Sequence, residues 1–268
     1  MKRILLIGTA LIDHLIYSPT PLQNDTCNKL SNGLCSGGSL RNVAHNLGKL
    51  NCPVDFLSCW GNDVFAQNIK DELGTLNIGV YGPIRDLPTP LFTAINTPAQ
   101  NLTISSVTSE FIVDEHYDFP YENYDLVVTD IDNTELLTKI VSSNKELRFV
   151  TIGFLPSENA IAALEGAIFN RREFFATFGH DEYSTVSRGL DSWLVVTLDK
   201  DGVYYNYRNQ QNLLKNKRPI KNGYPIGCGD ALVAGLLYQL TLDHDFLTAL
   251  TYAHDLAEQV FASPANII

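Results

Sequence analysis

Short apolar runs alternate with helical segments along most of this chain, and this alternation restricts the possible fold more than any other feature. The runs predicted as strands are residues 4–7, 54–59, 125–129, 147–152, 167–169 and 193–197. The segments predicted as helices are residues 40–50, 65–76, 133–143, 157–165 and 231–240. Short strands that are apolar on both faces are typical of parallel sheets covered by helices on both sides. We therefore predict one α/β domain over residues 1–268, with a mostly parallel central sheet.

Two segments, residues 14–35 and 88–114, interrupt this alternation. Their sequence is rich in Thr and alternates between apolar and polar residues, as in Thr93-Ala94-Ile95 and Leu102-Thr103-Ile104. Such a pattern is typical of exposed antiparallel strands rather than of the buried strands of a parallel sheet. We expect these segments to form a small separate sheet.

A glycine-rich turn, Gly227-Cys228-Gly229-Asp230, directly precedes the apolar segment 231–240. Two glycines permit a tight turn in which successive N–H groups point into one concavity, and the following helix adds the positive end of its dipole. This arrangement predicts a site for the charge of a transferring phosphoryl group. Asp230, the carboxylate of the turn, is the candidate base that accepts a proton from an attacking hydroxyl. An aspartate at a helix start is also a common structural cap, and this alternative stays open.

A second glycine pair, Gly37-Gly38, precedes the predicted helix 40–50 and places Arg41 and Asn42 in its first turn. Glycine brings bare backbone close to a ligand, and the two polar side chains can donate hydrogen bonds to hydroxyl or carbonyl oxygens. A surface arginine that bonds to the neighbouring small sheet is an equally good interpretation of Arg41.

The two glycine-rich elements together resemble the motifs of the PfkB family of carbohydrate and nucleoside kinases, the ribokinase-like group. Further similar motifs follow in the family's order: Gly8 and Asp13 after the first strand, Gly61-Asn62-Asp63 before the second helix, Asn170-Arg171-Arg172-Glu173, and Thr197 with Gly202. Each motif is short, but their common order over residues 4 to about 240 makes the resemblance specific.

The resemblance implies a ribokinase-like three-layer fold in which the segments near 14–35 and 88–114 form a small β lid over the substrate. It implies an ATP-dependent kinase that transfers the γ-phosphoryl group to a primary hydroxyl of a sugar or nucleoside. A homodimer through the β lid is a further possibility. By resemblance, the catalytic residues are Asp230 with the amides of Gly227, Cys228 and Gly229, and the substrate-binding residues are Asp13, Gly37, Gly38, Arg41 and Asn42. The residues expected to bind ATP are Asn170, Glu173, Thr197 and Gly202, with Asn170 and Glu173 holding Mg²⁺ through water.

The segment Gly37–Leu47 is especially similar to pseudouridine kinases, so pseudouridine is the preferred substrate, with ribose, fructose or another nucleoside as alternatives. The sequence departs from the family pattern at several positions: Tyr224-Pro225 replaces an Asp-Thr pair, Cys228 replaces an alanine, Asp199 replaces a glycine, and Ala66 replaces a glycine after Asp63. The Asp-Thr pair contributes to a monovalent-cation site in many relatives, so a monovalent-cation requirement stays open. A sugar-binding family member that has lost turnover is the alternative to an active kinase.

Acidic residues outnumber basic ones, 30 against 19, which gives a formal net charge of −11. This charge argues against nucleic acid or anionic membranes as partners, and no apolar stretch reaches transmembrane length. The five cysteines form no Cys-x-x-Cys pair. We therefore expect free thiols, no metal site built from cysteine, and a cytoplasmic location.

Overall fold

The computed structural model describes residues 2–23, 28, 30–97, 101–188, 190–217 and 227–262. Its strands are β1 (Ile4–Ile7), β2 (Leu11–Tyr17), β3 (Ser31–Gly37), β4 (Val54–Leu57), β5 (Gly79–Tyr81), β6 (Leu91–Asn96), β7 (Asn101–Ser105), β8 (Leu126–Thr129), β9 (Arg148–Ile152), β10 (Leu164–Asn170), β11 (Trp193–Thr197), β12 (Val203–Tyr207) and β13 (Gln210–Leu214). Its α-helices are α1 (Ser39–Lys49), α2 (Val64–Gly74), α3 (Thr134–Ser143), α4 (Glu158–Ile161), α5 (Arg171–Phe178), α6 (Tyr183–Ser187), α7 (Cys228–Thr241) and α8 (Phe246–Phe261).

The central sheet has the strand order β13-β12-β11-β10-β9-β8-β1-β4-β5 within the described residues. All neighbours from β11 to β5 are parallel, whereas β12 and β13 extend one edge as antiparallel strands. The buried strand β1 shows why a continuous apolar run forms here. Ile4 and Leu6 pack into one core and Leu5 and Ile7 into the other, so both faces of the strand are covered.

Helices lie on both faces of this sheet and complete a three-layer α/β fold. Helices α1, α2, α7 and α8 share one core with the sheet, and α3, α5 and α6 pack on the opposite face. Helix α7 is almost completely buried along its length, as its apolar sequence predicts. The predicted fold class is confirmed.

A separate four-stranded sheet has the order β3-β2-β6-β7 and is built from the two segments that interrupt the strand–helix alternation. Two of its pairings, β2 with β3 and β6 with β7, are antiparallel as expected. The pairing of β2 with β6 is parallel instead. No hairpin joins these two strands, because two helices and three strands lie between them in the chain, so nothing forces an antiparallel arrangement.

The helix predicted over residues 157–165 is largely wrong. Only Glu158–Ile161 forms a single helical turn, and β10 begins at Leu164. Strand β10 pairs with β9 on one side and β11 on the other. A short apolar segment can form a helix or a strand on local sequence alone, and here the pairing selects the strand.

Two sequence expectations concern the molecule as a whole. None of the helices in the described residues is long and apolar enough to cross a lipid bilayer. Four cysteines in the same part of the chain, Cys35, Cys52, Cys59 and Cys228, are free thiols. Cys27 lies outside the described residues.

Candidate active site

The site lies at the carboxyl edge of the central sheet, where the order of the strands reverses. Strand β1 has β4 on one side and β8 on the other, so the loops that follow β1 and β8 start side by side. Gly8 and Asp130 occupy these loops, and a Cβ atom added at Gly8 would lie 3.0 Å from Asp130 Oδ1. Open α/β sheets bind ligands in the crevice at such a switch point.

The glycine-rich turn starts helix α7 as predicted. Gly227 is its N-cap and adopts the left-handed conformation, with φ 85°, that favours glycine. The first amides of a helix have no acceptors within the helix and face outward along its axis. A Cβ added at Gly229 would meet no protein atom within 4 Å, so the space beside this turn is open to a ligand.

Asp230 lies in the first turn of α7 and is bonded to the first turn of α1. Ser39 Oγ donates to Asp230 Oδ1 at 2.7 Å, and Asn42 Nδ2 donates to Asp230 Oδ2 at 2.9 Å. Burial raises the pKa of Asp230 to about 6, although the bonds from Asn42 and Ser39 lower it, and the charges of Asp13 and Glu173 raise it further. Sequence reasoning missed Ser39, which directly follows the second glycine pair.

Gly37 and Gly38 create space for Asp13 and for the start of α1. Asp13 and Gly37 lie on the paired strands β2 and β3, and a Cβ added at Gly37 would fall 2.4 Å from Asp13 Cγ. Gly38 has φ 101°, and a Cβ there would lie 2.2 Å from the Thr9 carbonyl oxygen. The structure therefore brings Asp13, Gly37, Gly38 and Asn42 together near Asp230.

The expectation that Arg41 presents its guanidinium to a ligand is wrong. The Arg41 side chain is 2% exposed and forms an ion pair with Glu72 of α2, with Nη2 at 2.5 Å from Oε2. Its Nη1 donates to the Ser36 carbonyl oxygen at 3.4 Å and to Asn42 Oδ1 at 3.2 Å. The Glu72 carboxylate, 31 positions further along the chain, thus holds the Arg41 guanidinium away from the cleft. The position of Arg41 in the first turn of α1 could not indicate this contact.

Asp130 follows β8, and helix α3 after it is capped by Asn133, through a bond from the Leu136 amide to Asn133 Oδ1. Asp130 faces a cavity of about 570 Å³ that is also lined by Ser39, Asp132 and Glu173. Asp130 is exposed at this cavity, and crowding of its carboxyl by the surrounding protein, together with the charges of Asp230 and Glu173, raises its pKa to about 7. We call this space the carboxylate cavity.

Asn170 and Glu173 form a complete capping box at the start of α5. Asn170 Oδ1 accepts from the Glu173 amide at 2.9 Å, and Glu173 Oε2 accepts from the Asn170 amide at 2.8 Å. No group of three or more His, Cys, Asp or Glu in the described part of the chain could by itself hold a metal ion. Asn170 and Glu173 fit a Mg²⁺ ion that is held through its waters, because Mg²⁺ keeps most of its waters and needs few protein ligands.

A second cavity of about 740 Å³ brings together Asn170, Thr197, Gly202, Cys228 and Gly229, all of which were expected at the phosphoryl or nucleotide site. Glu173 lies in the carboxylate cavity instead. Each cavity is therefore lined by one residue of the Asn170–Glu173 capping box, and the second cavity is also lined by Cys228 and Gly229 at the start of α7. We call the second space the α7–α8 cavity, since Leu232 and Ala257 of these helices also line it.

The turn between β11 and β12 forms part of the wall of the α7–α8 cavity. Gly202 has φ 105°, and a Cβ there would lie 2.2 Å from the Leu214 carbonyl oxygen. Asp199 has φ 51°, so the position where the resemblance expects glycine does adopt the conformation that glycine favours. Asn216 holds the turn through bonds of 3.1 Å from its Nδ2 to the carbonyl oxygens of residues 199 and 200.

His254 also lines the α7–α8 cavity. It is buried, its Nε2 lies 2.9 Å from Asn216 Oδ1, and burial lowers its pKa. Tyr224-Pro225, where the sequence departs from the family pattern, lie outside the described residues.

The arrangement has the parts that phosphoryl transfer to a hydroxyl needs. A carboxylate that can accept a proton lies at the N-terminus of a buried helix, bonded to Ser39 of the carboxylate cavity and next in the chain to Gly229 of the α7–α8 cavity. Such a helix end stabilises negative charge that develops during transfer.

Comparisons with known proteins agree with this arrangement. A family model described as pfkB family carbohydrate kinase matches residues 1–267. Guanosine-inosine kinase from Exiguobacterium acetylicum is 22% identical over an alignment of 298 positions, which covers 99% of this chain and 96% of the relative.

Two solved structures show that the fold is ribokinase-like. Ribokinase from Arabidopsis thaliana, solved with ribose and ATP, superposes with a TM-score of 0.79 at 14% identity, covering 98% of this chain and 94% of that one. The nucleoside kinase of Methanocaldococcus jannaschii superposes with a TM-score of 0.77 at 17% identity, covering 99% and 93% of the two chains. The chain is thus a member of the PfkB family of carbohydrate kinases, phosphotransferases that act on hydroxyl groups.

Proposed function

We propose that the protein transfers the γ-phosphoryl group of ATP to a primary hydroxyl of a nucleoside, with Asp230 as the general base. The single observation that carries this proposal is the position of the Asp230 carboxylate. It lies in the first turn of α7, held by Ser39 and Asn42 of α1. Ser39 lines the carboxylate cavity, and Gly229, which precedes Asp230 in the chain, lines the α7–α8 cavity.

The proposed step follows from these positions. The substrate hydroxyl gives its proton to Asp230 as its oxygen bonds to the γ-phosphorus, and the bond to the departing ADP oxygen breaks. The amides of Gly227, Cys228 and Gly229 at the start of α7 stabilise the charge on the transferring group. Because burial keeps the pKa of Asp230 near 6, the carboxylate is ionised at neutral pH yet remains basic enough to accept a proton.

The α7–α8 cavity is proposed to hold the nucleotide, with Thr197 and Gly202 in its wall. Asn170 and Glu173 would hold Mg²⁺ through water, and the bound ion would neutralise phosphate charge during transfer. The capping box uses Oε2 of Glu173, and the same residue lines the carboxylate cavity.

Asp13, Gly37, Gly38 and Asn42 are proposed to bind the hydroxyl groups of the substrate. A nucleoside is supported by the similarity to guanosine-inosine kinase over nearly the whole chain. Pseudouridine stays within this class because of the similarity of residues 37–47 to pseudouridine kinases. However, Arg41 cannot supply the preference for it, since Glu72 and Asn42 engage its guanidinium.

We also propose that the protein is a cytoplasmic homodimer. The free thiols of Cys35, Cys52, Cys59 and Cys228 support a reducing compartment. Exposed apolar side chains on the four-stranded sheet, Leu34, Leu102 and Ile104, support pairing between two copies of that sheet.

The function is tested by incubating the protein with ATP and Mg²⁺ and, separately, pseudouridine, guanosine, inosine or ribose, with detection of the phosphorylated product by mass spectrometry. We expect product with at least one nucleoside. Product with ribose alone would replace the nucleoside by a free sugar. No product with any acceptor would favour a family member that binds substrate without turnover.

The role of Asp230 is tested with Asp230→Asn, which keeps the size of the side chain but removes the base. We expect turnover to fall on the order of 10²–10⁴-fold, the usual contribution of a general base, with ATP affinity nearly unchanged. Asp243→Asn is the control, because that exposed carboxylate lies beyond the far end of α7. Turnover within a few-fold of wild type in Asp230→Asn would exclude Asp230 as the base.

A further inference from the structure

We propose that Arg41 is a positioning residue that fixes the orientation of the Asn42 carboxamide and thereby the hydrogen bond that Asn42 donates to Asp230. The inference rests on the proposed function, in which Asp230 is the base. It assigns to Arg41 a role in the reaction without contact to substrate.

The chemistry of the two side chains determines the orientation. A carboxamide has a donating end and an accepting end, and it can rotate to exchange them. A guanidinium only donates, so it can bond only to the oxygen of Asn42. Arg41 Nη1 donates to Asn42 Oδ1 at 3.2 Å, which leaves Nδ2 turned towards Asp230 Oδ2 at 2.9 Å.

Arg41 is itself held in place from three elements. It extends from α1, and its Nη2 forms the 2.5 Å ion pair with Glu72 of α2. Its Nη1 also donates to the carbonyl oxygen of Ser36 on β3, at 3.4 Å. Only a planar fork with several donors can serve a carboxylate, a carbonyl and a carboxamide together. The orientation of Asn42 is thus fixed by contacts that lie outside the substrate cleft.

Stability alone does not explain a buried arginine at this position. Removing two charges from water is costly, and replacing a buried ion pair by apolar side chains is often neutral or stabilising. Glu72 is 37% exposed, so its charge would be solvated if the arginine were absent. The contact that an apolar side chain could not reproduce is the bond to Asn42.

A double-mutant cycle tests this inference with Arg41→Met, Asn42→Ala and the double variant, measured with the best acceptor from the panel. If Arg41 acts through Asn42, each single variant lowers kcat about tenfold and the double variant is no worse than Asn42→Ala. Losses that multiply in the double variant would overturn the inference. So would a change confined to KM, which would indicate that Arg41 acts on substrate binding instead.

The pH profile supplies a readout that a purely structural role would not move. The charged and titratable groups that act on Asp230 among the described residues are Asp13 on β2, Asp130 after β8, Glu173 on α5 and Cys228 on α7, and the charge of Arg41 in turn acts on Asp13. Because the Asn42 bond lowers the pKa of Asp230, its loss moves the acid limb of kcat/KM to higher pH. We expect the same displacement in Arg41→Met and Asn42→Ala, and an unmoved limb in Arg41→Met would overturn the inference.

Arg3→Met is the matched control. Arg3 also forms an ion pair between elements, to Asp55 at 2.8 Å, but at the amino edge of the sheet. We expect it to lower Tm without changing kcat or the pH profile, and a similar loss of kcat in Arg3→Met would mean that the Arg41 effect is general destabilisation.

If Arg41→Met does not fold, Arg41→Lys replaces it in the same cycle and is judged by the same criterion. An inactive wild-type protein would refute the proposed function itself, whereas an active one with multiplying losses would refute only the role of Arg41.

Discussion

At the scale of single residues, Asp230 is subject to opposing influences. Burial and the charges of Asp13 and Glu173 disfavour its ionised form, and the bonds from Asn42 and Ser39 favour it, so its pKa is about 6. A base works only when ionised, so kcat/KM should fall as pH decreases through about 6 and level off above it. Initial rates between about pH 5 and pH 8 measure this limb. A profile that stays flat down to pH 5 would mean that the essential base has an ordinary carboxyl pKa.

The lack of a side chain at Gly37 leaves space for the Asp13 carboxylate, and the backbone of Gly37 itself does not require a glycine. In Gly37→Ala the new Cβ would fall 2.4 Å from Asp13 Cγ, so the Asp13 carboxylate must move. We expect KM for the acceptor to rise about tenfold, as for loss of a hydrogen bond to a charged group, with KM for ATP unchanged. Gly33→Ala on the same strand is the control, because a Cβ there meets nothing within 4 Å. Equal effects of the two variants would argue against Asp13 as a substrate-binding residue.

At the scale of elements, Asp63 links the start of α2 to the four-stranded sheet. It accepts from the Ala66 amide at 3.0 Å as N-cap, and from the amide and hydroxyl of Thr89, each at 2.6 Å, just before β6. Asp63→Ala loses the cap and this connection together, so we expect a loss of about 1–2 kcal/mol in the free energy of unfolding.

Asp245→Ala is the comparison for that prediction, because Asp245 caps α8 through bonds within its own helix start only. Thermal unfolding of both variants gives the measurement. A smaller loss of Tm in Asp63→Ala than in Asp245→Ala would show that the bond to Thr89 contributes little.

Elements were easier to predict than the directions of side chains. Continuous apolar sequence predicts buried strands such as β1 and β11, and Gly38 and Gly227 mark helix starts that need positive φ. Leu164–Asn170 was harder, because its apolar sequence suits either a helix or a strand, and pairing with β9 and β11 selects the strand.

The same limit applies within the site. Sequence motifs placed Asp230, Asn42 and Asp13 in one region, and the structure brings them together. They could not show that Glu72 captures Arg41, because this outcome depends on a residue from another element. The site roles themselves stay predictions until the variants are measured.

At the scale of the whole molecule, the four-stranded sheet leaves apolar side chains exposed. Ile104 is 55% exposed and Leu102 44%, and both lie on the same face of the edge strand β7. If this face pairs two copies, Ile104→Lys should convert a dimer to a monomer in sedimentation experiments at concentrations of about 10 μM. Leu213→Lys, on the edge of the central sheet, should leave the dimer intact. A wild-type monomer at this concentration would contradict the proposed homodimer.

The bond between Ser39 and Asp230 joins positions 191 residues apart, and this separation has a consequence for synthesis of the chain. A ribosome adding about 5–20 residues per second needs about 10–40 s to travel from one to the other. During that interval strands β4 to β13 are added, but α1 has neither its covering helix α7 nor the carboxylate that its first turn will hold. Helix α7 therefore brings its apolar side chains to the core and the reactive group to the site in one event, before α8 follows, so that a chain released before α7 is left both inactive and with the apolar face of α1 uncovered.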